Sequence, residues 1–335
     1  MSKGLEDFNN LLNIVHSSVR ASKSSDVATL PSVTYLTHPL IAQRFAHESE
    51  SGHRYVIFSG VHRFFAKKTT EQVRYDSNLL DELIETLIEL PLETINHLPD
   101  GQMTIDGSGT SSDGRRNELV RAYLSTAFES SPVQGLSAIN DMLNQDLSAI
   151  YFHSDELRTK LELAKSICER ILSNDSKLKK SIEHVREALN SEGKILIFCQ
   201  YKNTVRYLKE KLEENFDVII ETLTGEDSDS RKEEVCARFS PKCRGLYPRK
   251  TDPQILIATD CLSEGVDLQD ASLMVNYDLF WTPLKLVQRV GRLDRPTPDR
   301  RSFKVANILP KGQSFNNLFG MQTRLNERSN IYRKM

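Results

Sequence analysis

Apolar and polar positions along this 335-residue chain change their pattern twice. From Leu79 to Leu90 the apolar residues Leu79, Leu80, Leu83, Ile84, Leu87 and Ile88 recur at helical spacing, with Asp81, Glu82, Glu85 and Glu89 on the other face. That spacing predicts one amphipathic helix whose apolar stripe is core packing. Pro99 to Gly114 gathers Gly101, Gly107, Gly109 and Gly114 with Ser108, Ser111 and Ser112, a composition that reads as a flexible loop or boundary. Helical patterns return between Arg115 and Asn190, one of them opening at Ser131-Pro132, where Ser can cap and Pro can take the first helical position. After Gly193 short β-rich runs alternate with helices. Ile195 to Cys199, Val218 to Leu223, Ile255 to Ala258, Leu273 to Tyr277 and Phe303 to Leu309 read as strands; Thr204 to Glu214, Ser230 to Phe239 and Leu284 to Leu293 read as helices. Buried strands separated by helices of that length predict a parallel, doubly wound sheet. The expected fold class is therefore α/β, a parallel sheet flanked by helices and preceded by a mainly helical region. The expected division is an N-terminal region over 1–113 with no assigned character, a helical bridging region over 114–190, the α/β domain over 191–311 and a C-terminal helix over 312–335.

Composition narrows the class without choosing a function. With 39% hydrophobic and 27% charged residues the chain is an ordinary globular protein, and its longest apolar runs are strand-sized, so no membrane partner is expected. Lys and Arg total 44 against 46 Asp and Glu, a net charge of -2, so only the distribution of charge can speak for a nucleic-acid partner. Met1 to Asn10 is polar, no secretory or transit signal is expected, and the reading is cytoplasmic. Cys168, Cys199, Cys236, Cys243 and Cys261 form no C-x-x-C pair and have no His at ligand spacing, so they are expected to be reduced thiols and no metal ligands are assigned. Pro241 to Pro253 carries Lys242, Arg244, Arg249 and Lys250 with no acid before Asp252; it reads as a solvated insertion loop, with a nucleic-acid contact as the sharper alternative.

In an open α/β sheet, ligands gather outside the carboxyl ends of the strands, so residues that follow strands are the informative ones. After Ile255 to Ala258 come Thr259-Asp260 and then Ser263-Glu264-Gly265-Val266-Asp267-Leu268-Gln269; a later strand ends at Asn276-Tyr277-Asp278. Beyond it lies Gln288-Arg289-Val290-Gly291-Arg292-Leu293-Asp294-Arg295, inside a stretch from Lys285 to Lys304 whose only acids are Asp294 and Asp299. Arg289, Arg292 and Arg295, three residues apart, are expected near one face of a helix and its end, where guanidinium forks can converge on phosphate oxygens. Alone, such a run is more often a solvated helix face; its place beside the other two segments reverses that reading.

These segments, from Lys194 to Arg295, resemble the C-terminal RecA-like lobe of superfamily 2 helicases and translocases, over roughly a third of the chain. The first strand with Gln200-Tyr201 is similar to the first strand of that lobe and the motif after it. Ala258-Thr259-Asp260 through Gln269 resembles motif V, and Gln288 to Arg295 resembles motif VI. The wording Ser-Glu-Gly-Val-Asp-Leu-Gln and Gln-Arg-Val-Gly-Arg-Leu-Asp-Arg looks most like bacterial Swi/Snf-type ATPases. The resemblance implies that Arg292 and Arg295 are arginine fingers stabilising charge on the γ-phosphate, that Gln288 senses that phosphate and couples the lobes, and that Gly265 and Asp267 lie beside the nucleotide, Asp267 accepting from the ribose. It implies that Thr259, Thr224 and Gly225 touch the nucleic-acid backbone, with Gln200 and Tyr201 beside them. Tyr201 could stack on a base, and an amphipathic tyrosine at a strand end is at least as often structural.

A motor of that kind holds ATP and Mg2+ between two lobes, and the first lobe supplies a G-x-x-x-x-G-K-[ST] loop and an Asp-Glu pair. Here Gly109 to Arg116 has the glycine spacing but Arg115 and Arg116 where Lys and Ser or Thr are needed, and reads as a loop; Asp81-Glu82 lies on the amphipathic helix. The resemblance therefore implies half an active site, with ATP and Mg2+ bound only together with an N-terminal RecA-like lobe, in cis in a longer protein or in trans. Val120 to Leu143 is similar to the helices that bridge the lobes, and Asp175-Ser176-Lys177 to the approach to the second lobe. The chain is expected to be the C-terminal part of a larger motor, as a fragment, a split gene product or a truncated copy. The nucleic-acid partner is taken as DNA ahead of RNA. The alternative is a non-catalytic nucleic-acid-binding or regulatory remnant of such a motor.

Overall fold

The computed structural model describes residues 46–50, 52–58, 60–92, 112–145, 154–191, 193–262, 266–278 and 283–311. The glycine-rich stretch over 99–111, Gly265 and the C-terminal helix expected over 312–335 lie outside the described residues. The strands run β1 (His47–Glu48), β2 (Arg54–Phe58), β3 (Val61–Phe64), β4 (Lys67–Tyr75), β5 (Lys194–Phe198), β6 (Ile220–Leu223), β7 (Ile255–Ala258), β8 (Ala271–Asn276) and β9 (Ser302–Pro310). The helices are α1 (Asn78–Ile88), α2 (Ser112–Ser130), α3 (Pro132–Leu143), α4 (Ser154–Ser173), α5 (Ser176–Asn190), α6 (Lys202–Glu213), α7 (Asp229–Phe239) and α8 (Pro283–Val290).

Six strands form one sheet in the order β4-β9-β8-β5-β7-β6, every pair parallel. This is the parallel sheet expected from the alternation after Gly193, and the RecA-like sheet that the resemblance implies. Its central strands are apolar on both faces because both faces are covered: β7 is buried at all four positions. Ile195, Ile197, Ile255, Ile257 and Val275 point into one core with helices α1 to α6, and Leu196, Phe198, Leu256, Ala258 and Met274 into a second with Val235, Cys236 and Phe239 of α7. Among the described residues, no helix is long and apolar enough to cross a membrane.

Two features depart from the expected plan. The edge strand β4 comes from ahead of the helical region, pairing with β9 from Lys67 opposite Ser302 to Tyr75 opposite Pro310. The lobe is thus built from two separated stretches of chain, with α1 to α5 inserted between its first and second strands. Further, α2 opens at Ser112, so Ser112 to Arg116 is helical and not a loop. The smaller sheet β1-β2-β3 is antiparallel and precedes β4 directly.

The helical block is held by caps and close packing. Ser131 accepts from the Gln134 amide at 3.1 Å, with Pro132 in the first helical position of α3, and Asp175 accepts from the Leu178 amide at 2.9 Å to start α5. Gly135 lets α3 approach α2: a Cβ there would sit 2.7 Å from the Phe128 ring and 3.1 Å from Cys168 Sγ. Gly135→Val should therefore lower stability by about 2 kcal/mol or more through overpacking, measured as a fall in the urea midpoint at unchanged slope.

Candidate functional site

The residues singled out in the sequence occupy two places. Gln200 follows β5, Thr224 and Gly225 follow β6, and Thr259 follows β7, so all four lie at the carboxyl edge of the sheet, with Tyr201 one residue further on. Asp267, which precedes β8, lies instead with Arg292 and Arg295, which follow α8: the Leu268 amide donates to the Arg292 carbonyl at 3.1 Å, and Arg295 Nη1 is ion-paired with Asp267 Oδ1. The segments resembling motifs V and VI are therefore joined side by side. Gln288 is exposed on α8. Arg301 ties the arrangement from behind, donating to the carbonyls of Gln269, Leu293 and Arg295.

Of Arg289, Arg292 and Arg295, expected near one face of a helix and its end, Arg289 alone lies on the helix. Helix α8 ends at Val290, and Gly291 to Leu293 form a turn, so Arg292 and Arg295 lie beyond it. Arg289 is buried, 2% exposed, and grips Asp260 with both arms of its fork, Nε to Oδ1 at 2.7 Å and Nη2 to Oδ2 at 3.0 Å. Its Nη1 donates to Asn276 Oδ1 at 3.1 Å and to the Asp278 carbonyl at 3.0 Å, and its guanidinium lies 5.0 Å from the centre of the Phe198 ring. It ties α8 to the ends of β7 and β8 and so sets where the chain beyond the helix begins. Arg289→Ala should be felt as lost stability of about 3 kcal/mol, because Asp260 and Asn276 lose their partner, read as a lower melting midpoint.

At the carboxyl edge each loop is fixed by a local partner. The Thr224 amide and hydroxyl both donate to Asp227 Oδ2, at 2.7 and 3.1 Å, and Asp227 is paired with Arg231 at 2.9 Å. That turn leaves Gly225 with nothing within 4 Å of the position a Cβ would occupy, so its backbone is open to approach. The Thr259 amide donates to the Leu223 carbonyl at 3.0 Å. The Tyr201 hydroxyl is 2.8 Å from Thr126 Oγ1 on α2, which places its polar tip against the helical block.

A buried charge cluster missed in the sequence joins that edge to the helices. Asp278, after β8, accepts from the Gln200 amide at 2.7 Å, from Ser130 Oγ at 2.8 Å and from Lys177 Nζ at 3.2 Å. Lys177, at the start of α5, also donates to Glu129 Oε1 at 2.9 Å and to the carbonyls of Glu129 and Ser130, and lies 4.2 Å from the centre of the Tyr277 ring. Thr204 of α6 meets both Ser130 and Ser131, at 2.7 and 2.8 Å. The signal available was that each acid directly follows an aromatic residue, in Phe128-Glu129 and Tyr277-Asp278.

Burial raises the Glu129 carboxyl to about 7, against the opposing pull of Lys177. Burial alone would lower Lys177, but the charges of Glu129 and Asp278 outweigh it and raise it above the ordinary lysine value. A carboxyl raised on folding contributes stability that is full below its unfolded value near 4.5 and is lost as pH rises through about 7. Stability should therefore fall by up to about 3 kcal/mol between pH 4.5 and pH 8 from this group, and Glu129→Gln should flatten that slope in urea titrations. The cysteines described are free; burial pushes Cys168 up to about 12 and Cys236 and Cys243 up to about 11, so these thiols stay protonated at neutral pH.

Residues 176–297 match the family described as helicase conserved C-terminal domain. Over 109 residues, 32% of this chain, the sequence is 33% identical to an uncharacterized ATP-dependent helicase, YqhH, of Bacillus subtilis, and covers 18% of that protein. Over 100 residues, 30% of the chain, it is 31% identical to ATP-dependent RNA helicase FAL1 of Mycosarcoma maydis, covering 23% of it. The chain thus spans about a fifth of the length of these curated relatives. Among solved structures it is similar to the C-terminal part of the Fun30 ATPase domain, with 14% identity and a TM-score of 0.45 over 76% of this chain and 90% of that one. It is also similar to the Sulfolobus solfataricus SWI2/SNF2 ATPase core in complex with dsDNA, with 14% identity and a TM-score of 0.44 over 73% and 41% of the two chains.

Proposed function

Because residues 176–297 of this chain match the helicase conserved C-terminal domain, we propose that it works as the second lobe of an ATP-dependent nucleic-acid helicase or translocase and hydrolyses ATP only with a partner lobe. The observation that carries this reading is the junction of Asp267 with Arg295 and of Leu268 with Arg292. It brings the Arg295 guanidinium, the Asp267 carboxylate and the backbone of Arg292 to one rim, a set suited to phosphate oxygens and a ribose hydroxyl. In this reading Arg292 and Arg295 stabilise charge that develops as the γ-phosphate leaves, Asp267 accepts from the ribose, Gly265 belongs to the segment beside the nucleotide and Gln288 reports the phosphate to the other lobe. Asp267 also holds Arg295 in place until nucleotide arrives.

Among the described residues no group of three or more His, Cys, Asp or Glu side chains is placed to hold a metal ion. Mg2+ is assigned to the triphosphate and to carboxylates of the partner lobe, while the cationic groups of this chain fit the phosphates. Thr224, Gly225 and Thr259, with Gln200 and Tyr201, supply half of a groove that takes the nucleic-acid backbone without reading its sequence. DNA is proposed ahead of RNA, and both belong in the test.

The test is ATP hydrolysis by the purified chain, alone and with the product of a neighbouring reading frame that carries the Walker loop and Asp-Glu pair, each with single- and double-stranded DNA and RNA. The expected result is no turnover alone and stimulated turnover with the partner. Turnover by the chain alone that vanishes in Arg292→Ala would overturn the half-site reading. Nucleic-acid binding with no turnover in any combination would assign the chain to the non-catalytic alternative.

A further inference from the structure

The sheet β1-β2-β3 carries a row of rings that the lobe's core does not use. His47 lies opposite Tyr55, and Tyr55 opposite Phe64, in the strand register. The ring centres of His47 and Tyr55 are 5.4 Å apart, those of Tyr55 and His62 4.7 Å apart and stacked at 23°, and those of Tyr55 and Phe64 5.7 Å apart. His62 and Phe64 meet edge to face at 6.4 Å, and the Arg300 guanidinium lies 5.0 Å from the centre of the Phe64 ring. The row therefore runs from an exposed imidazole, through a tyrosine, to a cation. His47, His62 and Arg300 are exposed, and Tyr55 and Phe64 half-buried.

Strand alternation puts Tyr55, His62 and Phe64 on the ring-bearing face and Arg54 and Arg63 on the other, and Lys68 Nζ lies 3.6 Å from Asp294 Oδ2, so the cation placed at the row itself is Arg300. The platform is also anchored to the candidate nucleotide rim. Phe64 and Thr297 exchange two backbone hydrogen bonds, of 2.7 and 3.0 Å, two residues beyond Arg295, and the Lys67 amide donates to the Arg301 carbonyl at 2.9 Å.

We propose that the ring-bearing face of β1-β2-β3 is a second nucleic-acid contact, taking unpaired bases of a single strand onto the His47-Tyr55-His62-Phe64 row with a phosphate beside Arg300. Every base has a π-face, so such a row is tolerant of sequence, and an arginine at its end adds attraction to both the rings and the phosphates. A row of rings with polar edges and an arginine at its end suits a base and its phosphate better than it suits an aliphatic protein surface. This deepens the proposed function, resting on its premise that the chain meets nucleic acid, but the contact is separate from the backbone groove at Thr224 and Thr259.

The test uses fluorescein-labelled oligo(dT), oligo(U) and a duplex of the same length, with the full chain, in anisotropy titrations at fixed salt and without ATP. Because no ATP is present, this assay and the hydrolysis test can fail independently. Wild-type chain should bind a single strand more tightly than duplex, and the tighter of the two single strands assigns the source as DNA or RNA. His62→Ala and Tyr55→Ala should each weaken single-strand binding about fivefold to a hundredfold, while Tyr55→Phe, which keeps the ring, should stay within about twofold of wild type. A base analogue such as 2-aminopurine in the strand should be quenched on binding to wild type and not to His62→Ala. If Tyr55→Ala does not fold by circular dichroism, the exposed His62→Ala decides. Unchanged single-strand affinity in His62→Ala, a preference for duplex, or a wild-type dimer in light scattering that His62→Ala dissociates would each overturn the proposal, the last assigning the face to a second copy of the chain.

Discussion

Arg292→Ala, introduced into this chain in the presence of the partner lobe, nucleic acid and ATP, is expected to lower kcat by about 10³-fold or more with little change in KM. An arginine that meets the γ-phosphate only as its charge spreads acts on the transition state, so its loss appears in turnover and not in nucleotide affinity. The backbone around it is fixed independently of its side chain: the Arg292 amide donates to the Arg289 carbonyl at 3.1 Å, and its carbonyl accepts from Leu268 at the same distance. The buried fork of Arg289 on Asp260 holds the preceding turn. Removing the Arg292 side chain should therefore leave the melting midpoint within about 1 kcal/mol of wild type, whereas Arg289→Ala should lower it. Arg292→Lys should recover little turnover, since an ammonium cannot reproduce the two-armed geometry of a guanidinium. Steady-state hydrolysis beside a thermal melt separates these outcomes. Near-normal turnover in Arg292→Ala would remove it from the finger role and leave Arg295, already paired with Asp267, as the cation for the phosphate.

Much of the lobe was legible because its strands are buried on both faces. Ile195 to Phe198 and Ile255 to Ala258 are unbroken apolar runs between turn residues, and the helices between them carry clean stripes. The strand β4 was not legible for the opposite reason. Lys-Lys-Thr-Thr-Glu-Gln-Val-Arg-Tyr lies at the sheet edge, exposed over most of its length, and buries only Val73 and Tyr75, so its sequence carries no apolar run. What makes it a strand is the pairing with β9, a contact across more than two hundred residues that no local pattern encodes.

The site divides in the same way. Spacing grouped Arg292 with Arg295, and the resemblance set Asp267 beside the nucleotide with them, but the three-residue period also enrolled Arg289. Gly291 was the local warning, since a glycine just after a periodic stretch commonly ends the helix. The fate of Arg289 itself was set by Asp260 and Asn276, which are brought to it by the parallel order of β7, β5 and β8 and not by sequence proximity. Lys177 was hidden for a related reason. A lysine in the first turn of an amphipathic helix reads as solvated, and only the carboxylates of Glu129 and Asp278, from an earlier helix and a later strand, make burial of its charge tolerable.

Lys177→Met should cost about 3–5 kcal/mol of stability near neutral pH, the largest single loss expected outside the hydrophobic cores. Methionine matches the stem of lysine in volume, so the loss is electrostatic: Glu129 and Asp278, both buried, would be left facing each other without the cation between them. Asp278 keeps Ser130 and the Gln200 amide as donors, so the greater strain falls on Glu129. Since burial already raises that carboxyl to about 7, removal of Lys177 should drive it higher and make the variant take up a proton at Glu129. The deficit should accordingly be smaller at pH 5 than at pH 8, and Lys177→Met combined with Glu129→Gln should recover a substantial part of it, a coupling that a double-mutant cycle in urea measures directly. The cluster also has a functional reach, because Asp278 holds the Gln200 amide while Tyr201 leans on Thr126. Loss of Lys177 should therefore weaken nucleic-acid binding in the backbone groove in parallel with stability at pH 8, and the Glu129→Gln companion should restore both. If the double variant regained stability but not binding, Lys177 would have a direct role in the groove beyond neutralising the two acids.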